Sequence, residues 1–264
     1  MPDTFAATPV VMDDATIARA CDRYLGLRER LPLVAVTEVD EVLAILPIDP
    51  RSATTDQAWR VIWDKPLFAN TRVATGWRWI NQLMPLMQDA WAVWGADPTQ
   101  FLITRTGRGR DVSSFDVAGA EALRVRSATR TSVHRLYAIQ NAATLLRGLA
   151  ERSDTPVAQF WTEPLDTLVP DLVRQLGWGW GAITVLHMLT DFGVAGKPDI
   201  HVVRSLRHLG IWTSPRDQIT MKEALVVNQA VRKMVLMTGE MTPSQMRRID
   251  IELMSLSRHG IIPL

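Results

Sequence analysis

Apolar residues recur every three or four positions along most of the chain, the spacing of one buried face on an α-helix. No segment alternates convincingly between apolar and polar residues; only the short run at 101–104 suggests a strand. We therefore predict an all-α protein. The predicted helices cover residues 14–30, 37–47, 55–63, 74–94, 116–127, 130–150, 165–176, 182–192 and 200–209, and two more follow Thr220 and Thr242.

Residue types at several helix starts support these assignments. Thr220 is followed three positions later by Glu223, and Thr242 by Gln245, which is the capping-box pattern. Pro243 then occupies the favoured first helical position.

Three other local signals are weaker or disruptive. Asp13 or Asp14 can cap the first helix, and Thr37 with Asp40 forms a weaker box. Pro85 should kink or divide the helix predicted over 74–94. The glycine- and arginine-rich run at 104–114 predicts a loop.

The segment from 164 to 210 has the most specific pattern. A helical run at 165–176 is broken by Gly177, Gly179 and Gly181, and helical spacing then resumes. Glycine costs a helix about 1 kcal/mol relative to alanine, so three of them predict a tight turn. A loop of sequence GVAGKP and then Asp199 precede another helix, with Asp199 at its N-cap.

This order of parts resembles the helix–hairpin–helix superfamily of DNA glycosylases over roughly residues 130–260. The resemblance rests on the glycine hairpin LGWGWG, the Gly/Pro loop, and an Asp-x-His-Val-x-Arg helix that ends in Leu-Gly. The family implies a helical barrel packed against a second helical subdomain, with the active site in the cleft between them. We therefore expect a terminal subdomain of 1–95 plus 196–264 and a barrel subdomain of 96–195 that ends in the helix–hairpin–helix.

The resemblance implies that Asp199 is the catalytic carboxylate. Cleavage of an N-glycosidic bond builds positive charge on the sugar, and a fixed carboxylate can stabilise it and orient or deprotonate water. The simpler alternative is that Asp199 only caps its helix, a role worth about 1 kcal/mol. The two roles are compatible, because the family's aspartate also begins a helix.

The resemblance also implies where DNA is held. The amides of Gly177, Gly179 and Gly181 would bind a phosphate, and family members often place a monovalent cation at this hairpin. The alternative is a plain turn between helices. The helix that begins after Asp199 carries basic residues on its outward side, where they would meet the DNA backbone or solvent: His201, Arg204 and Arg207.

Family members that also cleave the DNA strand carry a lysine at the start of the helix after the hairpin, which forms a Schiff base with the sugar. Two registers place either Gly181 or Ile183 at that position, and no lysine occurs between Lys65 and Lys197. We therefore predict a monofunctional enzyme that uses water and leaves an abasic site.

Four tryptophans are candidates for stacking on an everted base or lining its pocket: Trp178, Trp180, Trp77 and Trp79. Core packing is the more frequent fate of tryptophan. Stacking on an aromatic side chain stabilises a base by about 1–3 kcal/mol.

Composition limits the remaining choices. The net charge is +1. No run of 18 apolar residues occurs, so we expect no membrane span. We also expect no signal peptide, and a soluble cytoplasmic monomer. The single Cys21 excludes an intramolecular disulfide and a four-cysteine cluster. No metal-ligand spacing appears, so we expect no cofactor beyond the possible monovalent cation.

The function expected is that of a DNA N-glycosylase acting on double-stranded DNA with a damaged or modified base. Its role would be base excision repair or defence against phage with modified DNA, such as hypermodified cytosine. The main alternative is a non-catalytic helix–hairpin–helix DNA-binding protein. A helical protein-interaction domain is a third, weaker possibility.

Overall fold

The structure, a computed structural model, describes residues 13–69, 71–84, 87, 101–102, 114–115, 130–217 and 219–263. Helices make up almost all of its regular structure, which confirms the all-α prediction. In chain order the helices are α1 (Asp14–Arg28), α2 (Leu33–Ile45), α3 (Thr55–Ile62), α4 (Lys65–Phe68), α5 (Val73–Leu83), α6 (Arg130–Ala150), α7 (Gln159–Thr162), α8 (Leu165–Leu176), α9 (Ala182–Asp191), α10 (Ile200–His208), α11 (Met221–Thr238) and α12 (Pro243–Arg258).

One short antiparallel pair interrupts the helical pattern. Strands β1 (Phe101–Leu102) and β2 (Ser114–Phe115) align Phe101 with Phe115 and Leu102 with Ser114. The predicted loop at 104–114 lies almost entirely outside the described residues, as do the predicted helix at 116–127 and the part of the predicted 74–94 helix beyond Pro85.

Three predicted capping residues near the two ends of the chain are confirmed by side-chain hydrogen bonds. Asp13 caps α1 by accepting a hydrogen bond from the Thr16 amide. Thr220 and Glu223 form a complete capping box on α11. Thr242 caps α12 by accepting from the Gln245 amide, with proline at the first helical position.

The predicted start of α2 at Thr37 is wrong. The helix begins at Leu33 because the carbonyl of Pro32 accepts hydrogen bonds from the Ala35 and Val36 amides. Proline has a fixed φ that suits the entry to a helix, so the chain turns helical directly after it.

The chain divides into two compact units by internal contacts. We call Met1–Asp49 with Leu189–Leu264 the terminal unit and Pro50–Met188 the central unit. The sequence predicts these boundaries at residues 95 and 195. The difference arises because α3 and α4 pack on α6, so the described residues directly after Pro50 belong to the central unit.

The core of the terminal unit is built from α1, α10, α11 and α12. Its helices supply apolar side chains such as Ile17, Leu206 and Leu253, all completely buried. Helices α10 and α12 make the most extensive contact, and α2 packs on α12. This packing fixes the start of α10, where Asp199 lies.

The core of the central unit surrounds α6. Helix α6 packs against α3, α4 and α8, and its buried face includes Ile139 and Leu146. Within the described segments, none of the helices combines the length and the apolar character that a membrane crossing requires.

Alanine substitutions at two glycines of the terminal unit can show how tightly the start of α12 is packed. Gly193 and Gly260 have φ angles of 65° and 67°, so an alanine at either position is strained by about 1–2 kcal/mol. At Gly193 an added Cβ would also sit 2.5 Å from the Cα of Pro243, whereas at Gly260 it meets no atom within 4 Å.

We expect Gly193→Ala to lower the free energy of unfolding by about 1–3 kcal/mol more than the matched Gly260→Ala does. Urea unfolding of both variants measures the difference. Equal losses would show that α12 can shift away from this turn at no cost.

Candidate functional site

Asp199 lies at the N-terminus of α10, as predicted. Its backbone is extended and its Oδ1 accepts hydrogen bonds from the amides of His201 and Val202, at 2.9 and 3.0 Å. The side chain is only partly buried, and its Oδ2 forms no hydrogen bond or ion pair with any residue that the structure describes. The carboxylate therefore keeps one oxygen fixed and the other free.

The loop before Asp199 is held through its backbone amides by two buried side chains. The amide of Gly196 donates to Oδ1 of Asn228, and that of Lys197 donates to Oδ1 of Asp250, both at 2.7 Å. Asn228 and Asp250 are 0% and 3% exposed. Two long helices, α11 and α12, thus set the path of the chain into Asp199.

Asp250 belongs to a buried charged cluster. Its Oδ2 accepts a hydrogen bond from Arg247 at 2.9 Å, and Arg247 also pairs with Asp191 at 3.0 Å. Burial, opposed by the charge of Arg247 and aided by that of nearby Asp199, raises the pKa of Asp250 to about 7. Sequence reasoning missed Asp250, since nothing local marks a carboxylate that pairs with a loop so far away in the chain.

The basic side chains on α10 are used by the protein itself. Arg204 pairs with Asp217 at 2.8 Å. Arg207 also pairs with Asp217 and donates to the carbonyls of Ser214 and Arg216. Both arginines therefore anchor the segment after α10, and their hydrogen bonds, that of Arg204 first, hold the pKa of Asp217 below its ordinary value.

His201 is also engaged. Its Nδ1 lies 3.1 Å from the hydroxyl of Ser257 on α12. Of the three basic residues proposed to meet DNA, none presents a fully unengaged side chain.

The predicted glycine hairpin is a tight turn between α8 and α9. Gly177 and Gly179 adopt φ angles of 66° and 91°, which favour glycine. Asn141 closes the end of α8 by donating to the carbonyl of Leu176 at 2.8 Å. Gly181 is the residue before α9, and its carbonyl accepts from the Val185 amide.

This turn exposes its backbone. Gly177, Gly179 and Gly181 are all solvent-exposed, and the amides of Gly179 and Gly181 donate to no residue that the structure describes. Uncovered amides at a helix N-terminus favour an anion.

Trp178 and Trp180 have opposite environments. Trp180 is 2% exposed and donates from Nε1 to the carbonyl of Ala138 at 2.7 Å, so it is a core residue of the central unit and cannot stack on a base without unfolding. Trp178 is 41% exposed, with its ring 6.2 Å from that of Tyr137. Of the two, only Trp178 remains a stacking candidate.

Trp77 and Trp79, both on α5, also differ. The guanidinium of buried Arg135 lies 4.7 Å from the centre of the Trp79 ring, which it covers on one side. Arg135 in turn donates to the carbonyls of Pro66 and Ala69, so Trp79 packs on a structural arginine. Trp77 is 52% exposed and meets Phe68 edge-on at 5.7 Å, which leaves it accessible.

The candidate residues fall into two groups. Asp199 and the basic residues of α10 belong to the terminal unit, and the hairpin turn and the four tryptophans belong to the central unit. In the part of the chain that the structure describes, no group of three or more His, Cys, Asp or Glu side chains is arranged to hold a metal ion. No protein-family model, characterised protein or solved structure matches this chain.

The buried carboxylate below Asp199 predicts a pH dependence of stability. Asp250 faces Arg247, Lys197 and Asp199, and its pKa in the fold lies above its ordinary value of 3.8. The folded protein therefore binds this proton more tightly than the unfolded chain does. The resulting stabilisation is complete below about pH 4 and is lost as the pH rises to about 7.

We expect the free energy of unfolding of the wild type minus that of Asp250→Asn to fall steadily over this range. Urea unfolding at several pH values between 4 and 8 measures it. A difference that stays level or rises with pH would contradict the buried, proton-binding role of Asp250.

Proposed function

We propose that this chain is a DNA N-glycosylase that hydrolyses the bond between a damaged or modified base and its sugar. The observation that carries the proposal is the state of Asp199, a partly buried carboxylate with one oxygen fixed by two amides and the other free. It stands in the order of elements that the glycosylase resemblance requires: helix, glycine turn, helix, loop and capped helix.

The chemistry assigned to Asp199 follows from its hydrogen bonds. Two amides fix Oδ1, so the carboxylate need not reorganise when positive charge grows on the sugar. The free Oδ2 then faces that charge or orients the attacking water. The base must first leave the DNA stack, which costs a few kcal/mol and least for a damaged or mispaired base.

The glycine turn supplies the proposed grip on DNA. The exposed amides of Gly179 and Gly181 lie beside the N-terminus of α9, where the helix dipole favours a phosphate. A monovalent cation held by backbone carbonyls of the turn would help by binding the same phosphate. Since Arg204 and Arg207 already pair with Asp217, we assign them to holding the α10 surface together rather than to the main DNA contact.

The reaction proposed ends at an abasic site. Neither Gly181 nor Ile183 provides the amine that a Schiff base requires. Water is therefore the nucleophile, and borohydride should not trap a protein–DNA adduct.

Two biological roles fit this chemistry. One is repair of alkylated, oxidised or deaminated bases, and the other is removal of a bulky modified base from phage DNA. Duplexes that carry each class of base, followed by chemical cleavage of abasic sites, separate the two.

The competing proposal is a DNA-binding protein without catalysis. It is favoured by one observation, that Asp199 is already used as a helix cap. Under that proposal the carboxylate is needed for stability alone.

Asp199→Asn distinguishes the two proposals. Asparagine caps a helix about as well as aspartate, so we expect the free energy of unfolding to change by less than about 1 kcal/mol. We expect base release to fall at least about a hundredfold, as when one charge-stabilising group is lost from an active site. Single-turnover excision from a modified duplex measures the rate.

DNA affinity is the control for this variant. It should be kept or improved, since a negative charge near the sugar–phosphate backbone is removed. Excision at the wild-type rate by Asp199→Asn would exclude the catalytic role and favour the binding protein.

Gly181→Asp tests the turn. An added Cβ at this position meets no atom within 4 Å, and the new side chain would cap α9. We expect stability to be unchanged or slightly higher, while the carboxylate competes with phosphate for the exposed amides and weakens DNA binding about tenfold or more. Fluorescence anisotropy with a labelled duplex measures the affinity at several salt concentrations.

The matched control is Gly26→Asp, because Gly26 is also exposed, a Cβ added there meets no atom within 4 Å, and the change in net charge is the same. It should leave DNA affinity within about twofold of the wild type. Equal weakening in both variants would mean that overall charge, and not the turn, governs binding.

A further inference from the structure

A cavity of about 590 Å³ opens in the central unit, outside the elements assigned above to catalysis and phosphate binding. Its lining comes from α3, α5 and the residues that follow each of them. The volume lies within the range of about 300–1,000 Å³ found for small-molecule sites.

The inner wall of this cavity is apolar, aromatic and rigid. Trp59, Trp63, Ile80 and Met87 line it, and each is less than a tenth exposed. The Nε1 of Trp59 donates to the carbonyl of Met87 at 2.7 Å, which fixes the indole in place. Such a wall offers flat faces for stacking.

The mouth of the cavity is open and carries Trp77. Half of its surface is exposed, while Phe68 supports the ring edge-on. A side chain of this size is usually buried, so an exposed and supported indole at a cavity mouth is suited to cover a planar ligand.

Charged and polar groups surround the same mouth. Arg60 is exposed and forms no ion pair with a described residue. On the inner wall, the Nε1–H of Trp63 donates to no described residue. Asp56 and Asp64 bring carboxylate oxygens to the lining. Asp64 also pairs with Lys65, at 2.7 Å, but a carboxylate has lone pairs for further donors. The lining of this aromatic cavity therefore carries both donors and acceptors.

Two other ligand classes fit this combination less well. An acyl chain would cover the charged mouth without satisfying it. A quaternary ammonium ion would suit the tryptophans and the carboxylates, but it offers no acceptor to the Nε1–H of buried Trp63. A flat nitrogen heterocycle with donors and acceptors on its edge meets every feature.

We propose that this cavity is a binding site for a nucleobase, supplied either as a free nucleoside or as a base everted from DNA. The ring stacks between the indole of Trp77 and the inner tryptophan wall, and its edge meets Arg60 and the two carboxylates. The site does not use Asp199, so binding is independent of the proposed hydrolysis.

Isothermal titration calorimetry of the full chain with the four 2′-deoxynucleosides tests the site. We expect saturable binding of at least one nucleoside and none of 2-deoxyribose, which lacks a base. Trp77→Leu should weaken binding on the order of tenfold, from the loss of one stacking face. Arg60→Gln should weaken it as well, because the edge loses a donor.

Matched variants control for unfolding and for general changes in charge. Trp161→Leu removes an indole from the central unit away from the cavity, and Arg78→Gln removes an exposed arginine of α5 that does not line it. Both should bind as the wild type does. Competition by a duplex with a mispaired base would identify DNA as the source of the base, and its absence would identify the free nucleoside.

Absence of saturable binding for all four nucleosides would overturn the proposal. So would equal binding by wild type and Trp77→Leu, or binding of 2-deoxyribose with the affinity of a nucleoside. A protein that binds nucleosides at Trp77 but releases no base from any duplex would keep this site and lose the glycosylase proposal.

Discussion

Two buried side chains that hold the loop before α10 are the constraint on which the candidate active site depends. Asn228 and Asp250 accept hydrogen bonds from the amides of Gly196 and Lys197, which fixes the path of the chain into Asp199. Without these partners the loop amides would be buried and unpaired, which costs a few kcal/mol. The carboxylate at Asp199 is consequently presented from a rigid base formed by α11 and α12.

The cost of this arrangement is a concentration of negative charge. Asp191, Asp250 and Asp199 lie near one another in the terminal unit, and Arg247 pairs directly with the first two. Burial keeps a proton on Asp250 up to about pH 7, which limits the repulsion that Asp199 meets at lower pH. A proton on buried Asp250 thus reduces the negative charge next to Asp199, which lies at the exposed end of the loop.

The glycine turn follows a different physical rule. It presents backbone amides to solvent, where a side chain would cover them, and positive φ angles at Gly177 and Gly179 make that shape possible. The proposed phosphate contact would therefore use backbone amides, since Arg204 and Arg207 pair with Asp217.

Local features of this fold could be predicted from the sequence, whereas partnerships across the chain could not. The caps of α1, α10, α11 and α12 were correct because each depends on residues within one turn. The start of α2 was missed because Pro32 acts through its carbonyl, which no side-chain pattern reveals. Asp217 and Asp250 were missed because their partners are set by helix packing, which also decides that Trp180 is buried while Trp178 is exposed.

The most direct test of the glycosidic mechanism is product analysis of the reaction with modified duplexes. A panel of such duplexes is incubated with the protein in the presence and absence of borohydride, and mass spectrometry follows the released base and the strand. We predict an intact free base, an unbroken strand with one abasic deoxyribose, and no protein–DNA adduct trapped by borohydride. Duplexes that are bound at nanomolar to micromolar affinity, yet release no base from any member of the panel, would contradict it.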